Sequence, residues 1–93
     1  MGDTENGRFS IDKIIHERVR LLILTYLASA KEKHIPFNEI KNSLDVTAGN
    51  LSIQLKNLEE AGYVKIQKKI KGRKPLTLIS LTHEGLTALE NYI

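Results

Sequence analysis

The chain has 93 residues, the size of one domain. Apolar residues make up 41% and charged residues 27%, the balance of a folded globular chain and not of a disordered one. Cysteine is absent, which excludes disulfides, thiolate metal sites and cysteine nucleophiles. The longest apolar run, Leu21 to Leu24, is far too short to span a bilayer. The first ten residues are polar and include Asp3 and Glu5, so no secretory leader is expected. Asn6 stands where a myristoylation signal carries Ser or Thr. A cytoplasmic protein is expected.

The net charge of +3 is unevenly spread. Residues 65–74 read K-I-Q-K-K-I-K-G-R-K and hold six cations and no anion. The other 83 residues hold eight cations and eleven anions, a balance of −3. A concentrated positive patch on a mildly acidic body is an electrostatic footprint for a polyanion. The same lysines would also suit a hairpin tip that resists edge-to-edge aggregation.

In chain order, residues 1–9 are Gly- and acid-rich and are expected to form a flexible tail, leaving residues 10–93 as the domain. Ser10 can cap a helix that runs to about Ala30. Ile11, Ile15, Val19, Leu22 and Tyr26 make one apolar stripe on it, and Ile14, Leu21, Leu24 and Ala28 make a second. A surface helix of a monomer needs one apolar face, so the second stripe needs its own partner, either the C-terminal helix or another chain. Residues 31–36 form a polar connection closed by Pro36. Phe37, Ile40 and Leu44 mark a short second helix, followed by a tight turn at Asp45-Val46. Thr47 caps a third helix with a buried stripe of Leu51, Leu55 and Leu58, and Gly62 ends it in the left-handed conformation.

After Gly62 the period changes to two. A strand is predicted over about Tyr63 to Ile70 and a second over Leu76 to Thr82. K-G-R-K-P between them is turn chemistry, with Gly72 free to take positive φ and Pro75 barred from a central strand. Thr82 caps a last helix, His83 to Ile93, with the stripe Leu86, Leu89 and Ile93. The order is that of an α+β fold: a three-helix core containing a helix-turn-helix, a basic two-stranded β-wing and a C-terminal helix.

Four pieces carry a resemblance to a known family: I-H-E-R-V-R-L-L-I-L at 15–24, F-N-E-I-K-N-S-L at 37–44, V-T-A-G-N-L-S-I-Q-L-K-N-L-E-E-A-G-Y-V at 46–64 and L-T-H-E-G at 81–85. Over Ile15 to Tyr92 the chain resembles the winged helix-turn-helix domains of MarR-type and ArsR-type transcriptional regulators, most of all their short single-domain archaeal and bacterial members. The resemblance implies a homodimer that binds double-stranded DNA sequence-specifically and represses transcription. It also implies a dimer interface built by the terminal helices, here Ile14, Leu21, Leu24, Ala28, Leu89 and Tyr92. Intramolecular packing is the competing reading of the second stripe.

The third helix is then the recognition helix. At 100° per residue, Gly49, Ile53, Lys56 and Glu60 point away from the leucine stripe, with Asn50, Ser52 and Asn57 on the flanks. Thr47, Asn50, Ser52 and Gln54 supply neutral donors and acceptors near the N-terminus, where Asn or Gln can pair with adenine and Ser or Thr with base or phosphate. Lys56 suits a phosphate. Gly49 permits close backbone approach to DNA or is simply tolerated in a first turn. Ile53 touches a thymine methyl or is a singly exposed apolar residue. The helix carries no arginine, so modest or A·T-leaning base readout is expected, with much of the affinity from phosphates. In the wing, Arg73 suits a narrow minor groove, and Lys68, Lys69, Lys71 and Lys74 suit phosphates.

Other signals are weak. His16, His34 and His83 lie on different elements without ligand spacing, so neither metal nor cofactor is expected. Glu59 and Glu60 point about 100° apart on a helix and are read as solvated charges rather than an acid–base pair. Without a phosphate loop or nucleophile elbow, an enzyme is not expected. Two other binding modes stay open: a protein-interaction module and an architectural DNA binder without strong base preference.

Overall fold

The computed structural model describes residues 17–92. They open in a helix, α1, described over residues 17–29. There follow β1 (Ile35–Pro36), α2 (Phe37–Leu44), α3 (Ala48–Glu60), β2 (Val64–Lys71), β3 (Lys74–Leu81) and α4 (His83–Tyr92). The strands form one antiparallel sheet in the order β1-β3-β2. The expected α+β winged-helix architecture is therefore present. The expected tail, the Ser10 cap, Ile11, Ile14, Ile15, His16 and Ile93 lie outside the described residues.

The apolar face of α1 differs from the expected pair of stripes. Val19, Ile23, Leu24 and Leu27 are buried in the core. The buried sector centres on Ile23 and Leu27, which neither stripe contained. Leu24 therefore packs inside its own chain, Leu21 is half-buried against the same core, and Leu22 of the expected core stripe stands at the surface with Ala28. Helix periodicity allows several apolar arcs on a helix this rich in leucine and isoleucine, and the arc that is buried is chosen by tertiary contacts. Two hydrogen bonds tie α1 to α2: the Tyr26 hydroxyl donates to the Glu39 carboxylate and accepts from Ser43 Oγ. The Glu39 bond is the main reason the Tyr26 phenol titrates above its ordinary range.

The helix-turn-helix closes in three residues. Asp45 takes the left-handed conformation (φ 53°), and the Asp45 and Val46 N–H groups both donate to the Lys41 carbonyl. Thr47 then caps α3, its Oγ1 accepting from the Asn50 N–H at 3.1 Å. The far end of α3 is a Schellman turn: Tyr63 N–H donates to the Leu58 carbonyl and Gly62 N–H to that of Glu59, with Gly62 at φ +83°.

Two features of the sheet depart from expectation. The connection after α1 contains β1, whose Ile35 and Pro36 pair with Ile79 and Leu78. The hairpin is also longer than predicted, because Pro75 lies within β3, opposite Ile70. Lys71 and Lys74 close the two-residue turn Gly72-Arg73 as a hydrogen-bonded pair, so the next pair, Ile70 and Pro75, is not hydrogen-bonded. Pro75 thus needs no N–H toward β2, and β1 does not extend far enough to need one on the other side.

Residue 82 locks α4 to the base of the wing. Thr82 Oγ1 donates to the Gly62 carbonyl at 2.7 Å and accepts from the Gly85 N–H at 2.9 Å. Gly85 sits against the Tyr63 carbonyl, where a Cβ would lie 2.1 Å from that oxygen and 2.8 Å from Leu81 Cδ1. Backbone cannot yield as a side-chain tip can, so Gly85→Ala is expected to destabilise the fold by about 2–3 kcal/mol. Gly49 meets nothing within 4 Å, and Gly49→Ala is expected to be neutral or to stabilise by up to about 1 kcal/mol. Urea unfolding of the two variants against the parent checks both signs.

Candidate nucleic-acid interface

The buried face of α3 is Leu51, Gln54, Leu55 and Leu58. Its outward face therefore carries Gly49, Ser52, Ile53, Lys56, Asn57 and Glu60, all exposed, with Thr47 exposed at the cap and Asn50 half-buried. Ile53 is 60% exposed, a large apolar side chain mostly open at the surface of the described residues. Seven of the eight expected recognition-helix residues thus lie at or near the surface.

Gln54 does not. It is fully buried, so its place among the outward-facing groups is corrected. Position 54 follows Leu51 by three residues and precedes Leu58 by four, which puts it on the core face. Its carboxamide is satisfied there: Oε1 accepts from Arg20 Nη1 of α1 at 3.2 Å, and Nε2 donates to Asn50 Oδ1 at 3.5 Å.

Strand alternation sorts the wing cations by face. Val64, Ile66, Lys68 and Ile70 share one face of β2, and their cross-strand partners are Leu81, Ile79, Thr77 and Pro75. Lys65, Gln67, Lys69 and Lys71 share the other, where Lys74 faces Lys71. Arg73 stands exposed in the turn beyond both. The first face meets α3. Ser52, Lys56 and Glu59 of α3, Ile66 and Lys68 of β2, and Thr77 of β3 line an open groove of about 660 Å³. Lys56 and Lys68 therefore reach one groove from two elements, whereas Lys69, Lys71 and Lys74 lie on the reverse face of the hairpin. The basic run is one segment in sequence and two surfaces in space.

Sequence reasoning missed Thr77 and Glu59 in this groove. Thr77 was legible only through its register opposite Lys68. Ile70, 79% exposed beside the tip, was counted as a strand residue and is an uncovered apolar side chain. Among the expected dimer residues, Leu24 and Leu89 are buried in the core of their own chain, which removes them from any surface; Tyr92 and Ala28 are exposed. Leu22 and Leu86 are exposed apolar residues that were not expected there. Among the described residues, no group of three or more His, Cys, Asp or Glu could hold a metal ion, and no helix is long and apolar enough to cross a membrane.

Residues 19–93 match the profile of the winged helix DNA-binding domain family. The chain belongs to that family. It is 38% identical over 81 residues to an uncharacterized protein of Methanocaldococcus jannaschii, spanning 87% of this chain and 86% of that one. A solved structure of a transcriptional regulator homologue from Pyrococcus horikoshii OT3 is 35% identical and superposes with a TM-score of 0.72, covering 81% of this chain and 72% of that one. Bacillus subtilis PadR, solved in complex with operator DNA, is 18% identical with a TM-score of 0.67, covering 78% of this chain and 45% of that one, a likeness of fold alone. The fold and family are those of winged-helix, DNA-binding transcriptional regulators, and the similar folds include PadR-type proteins.

Thr47 serves α3 as its N-cap. Its oxygen accepts the Asn50 N–H, and its hydroxyl hydrogen remains available to donate outward. Thr47→Ala is expected to cost about 1 kcal/mol of stability through the lost cap, and Thr47→Ser to restore most of it. Denaturant midpoints of the two variants test this.

Proposed function

We propose that this winged-helix protein is a sequence-specific, double-stranded-DNA-binding transcriptional regulator that acts in the cytoplasm, on the nucleoid, as a homodimeric repressor. The observation that carries the reading is the shared groove: Lys56 from α3 and Lys68 from the wing line it together, beside the outward face of the recognition helix. A helix in a major groove flanked by a hairpin on the adjoining backbone needs that arrangement. PadR of Bacillus subtilis, of the same fold, was solved on its operator DNA.

In this reading Thr47, Asn50 and Ser52 meet base edges or the nearest phosphates, Ile53 meets a thymine methyl, and Gly49 lets the backbone approach. Lys56, Asn57 and Lys68 hold phosphates along the groove. Arg73 enters the neighbouring minor groove, and Lys69, Lys71 and Lys74 neutralise backbone on the other side of the hairpin. A two-fold dimer places two recognition helices one turn apart, about 10 bp, over a pseudo-palindromic site, and occupancy of that site blocks transcription. The seam uses the apolar residues that α1 and α4 leave exposed, Leu22, Leu86 and Tyr92, with Ala28 and half-buried Leu21. Ile14, which the family resemblance also implies for a dimer contact, lies outside the described residues. No cofactor, metal or catalysis is part of the proposal.

One observation favours a second reading. The exposed face of α3 offers no arginine for bidentate guanine recognition, as an architectural binder with little base preference would also show. Selection of bound duplexes from a random pool separates the two: an enriched motif supports the regulator, and its absence supports the architectural protein.

If each protomer neutralises about three or four phosphates, the dimer's log affinity falls against log salt with a slope of about −5 to −7. Lys68→Ala is expected to make that slope shallower by about two for a dimer, one phosphate per protomer. Fluorescence anisotropy on a duplex across a salt series measures both, and a slope near zero removes the electrostatic basis of the proposal.

A further inference from the structure

Gln54 is a fully buried polar side chain that the proposed contacts do not use. It joins α1 to the first turn of the recognition helix, since Arg20 Nη1 donates to its Oε1 and its Nε2 donates to Asn50 Oδ1. The direction of this relay follows from chemistry. A guanidinium only donates, so the Gln54 oxygen must face Arg20. That leaves the Gln54 NH₂ toward Asn50, and an NH₂ only donates, so the oxygen of Asn50 must turn inward to receive it. The NH₂ end of Asn50, which is half-buried on the flank of the outward face of α3, is then the end left for an outside partner.

We infer that Arg20 and Gln54 are positioning residues that fix the polarity of the Asn50 carboxamide, so that Asn50 offers donors and not an acceptor to DNA. The inference rests on the DNA-binding reading above and deepens it by naming the base edge that Asn50 takes. The familiar pairing of Asn with adenine needs an outward oxygen to accept from N6 as well as an outward NH₂ to donate to N7. With the oxygen held by Gln54, the matching edges are those that present acceptors alone: guanine N7 and O6, or thymine O4. The A·T-leaning expectation from the composition of α3 is thereby replaced, at this one position, by a preference for guanine or thymine on the contacted strand.

Gln54→Glu reverses the relay. A carboxylate at 54 still accepts from Arg20, yet it presents a second acceptor to Asn50. Asn50 must then turn its NH₂ inward and its oxygen outward, toward the N4 amino group of cytosine or the N6 amino group of adenine. Random-pool selection is carried out on wild type, Asn50→Ala and Gln54→Glu. Asn50→Ala identifies the position by losing its preference there. The expected result for Gln54→Glu is a switch at that same position from guanine or thymine to cytosine or adenine, by about tenfold in relative affinity. The other enriched positions and the salt slope stay as in wild type. A purely structural Gln54 would weaken all positions alike. Retention of the wild-type base, or loss of all preference at that position, overturns the inference.

A measurement on the free protein keeps the test independent of DNA and of how Gln54→Glu folds. The Gln54 carboxamide protons are expected to exchange with solvent far more slowly than those of exposed Gln67, and their resonances are expected to move in Asn50→Ala. Exchange as fast as that of Gln67 overturns the relay while leaving the DNA-binding proposal intact. Failure of wild type to enrich any motif falls on the sequence-specific reading itself and takes the base assignment with it.

Discussion

The groove between α3 and the wing exists because the chain reverses within two residues after Glu60. Ala61 still donates back into the helix, and Gly62, at φ +83°, turns the chain so that Tyr63 can donate to Leu58 and β2 can begin at Val64. A residue with a Cβ would be strained in that conformation. The reversal decides which face of the hairpin meets α3. Val64 is buried, so Ile66 and Lys68, two and four residues on, fall on the same side. Thr82 then holds the turn from outside through the Gly62 carbonyl, and Gly85 brings α4 against Tyr63. Helix, wing and C-terminal helix are thus fastened at a single corner, and the relative placement of Lys56 and Lys68 follows from it.

That corner explains why the basic run has two surfaces. A ten-residue stretch with six cations looks like one patch when it is read along the chain. Folded as a hairpin, it alternates. Lys68 alone joins the groove face of β2, where it is flanked by Ile66 and Ile70, and the remaining strand lysines lie behind. Lys71 and Lys74 face each other directly, a like-charge pair that disfavours the isolated hairpin tip. Such repulsion is relieved when a polyanion lies alongside. On the proposed DNA-binding reading, a phosphate backbone beside the wing offsets that cost. Glu59 works in the opposite direction at the groove, adding a negative charge to the wall shared by Lys56 and Lys68.

The local signals in the sequence proved reliable where a backbone conformation demanded a particular residue. Pro36 before Phe37, Thr47 before Ala48, left-handed Gly62 and Gly72, and Thr82 before His83 all mark element ends that the structure has within a residue or two. The readings that failed depend on partners far away in the chain. Two residues, Ile35 and Pro36, make β1 only because Ile79 and Leu78 pass beside them. Pro75 enters β3 because the hairpin register puts its missing N–H where no partner is needed. On α1, hydrophobicity is spread around so much of the helix that periodicity could not choose the arc centred on Ile23. Gly85 carries no sequence mark of the carbonyl against which it packs.

Gln54 shows the limit most clearly. Its spacing from Leu51 and Leu58 already placed it on the core face, yet its chemistry made it look like a reader of bases. The deciding fact is Arg20, 34 residues earlier, whose guanidinium supplies the partner that makes burial of a carboxamide affordable. An apolar residue at 54 would pack as readily but would leave that Arg20 donor without its acceptor. Retaining the carboxamide links α1 to the N-terminal turn of α3 by hydrogen bonds, which are directional where apolar contacts are not. The core beneath a recognition helix can therefore do more than hold it in place. A donor-only side chain on one helix sets the orientation of an ambivalent amide on another, and through it the sign of the group that meets the outside.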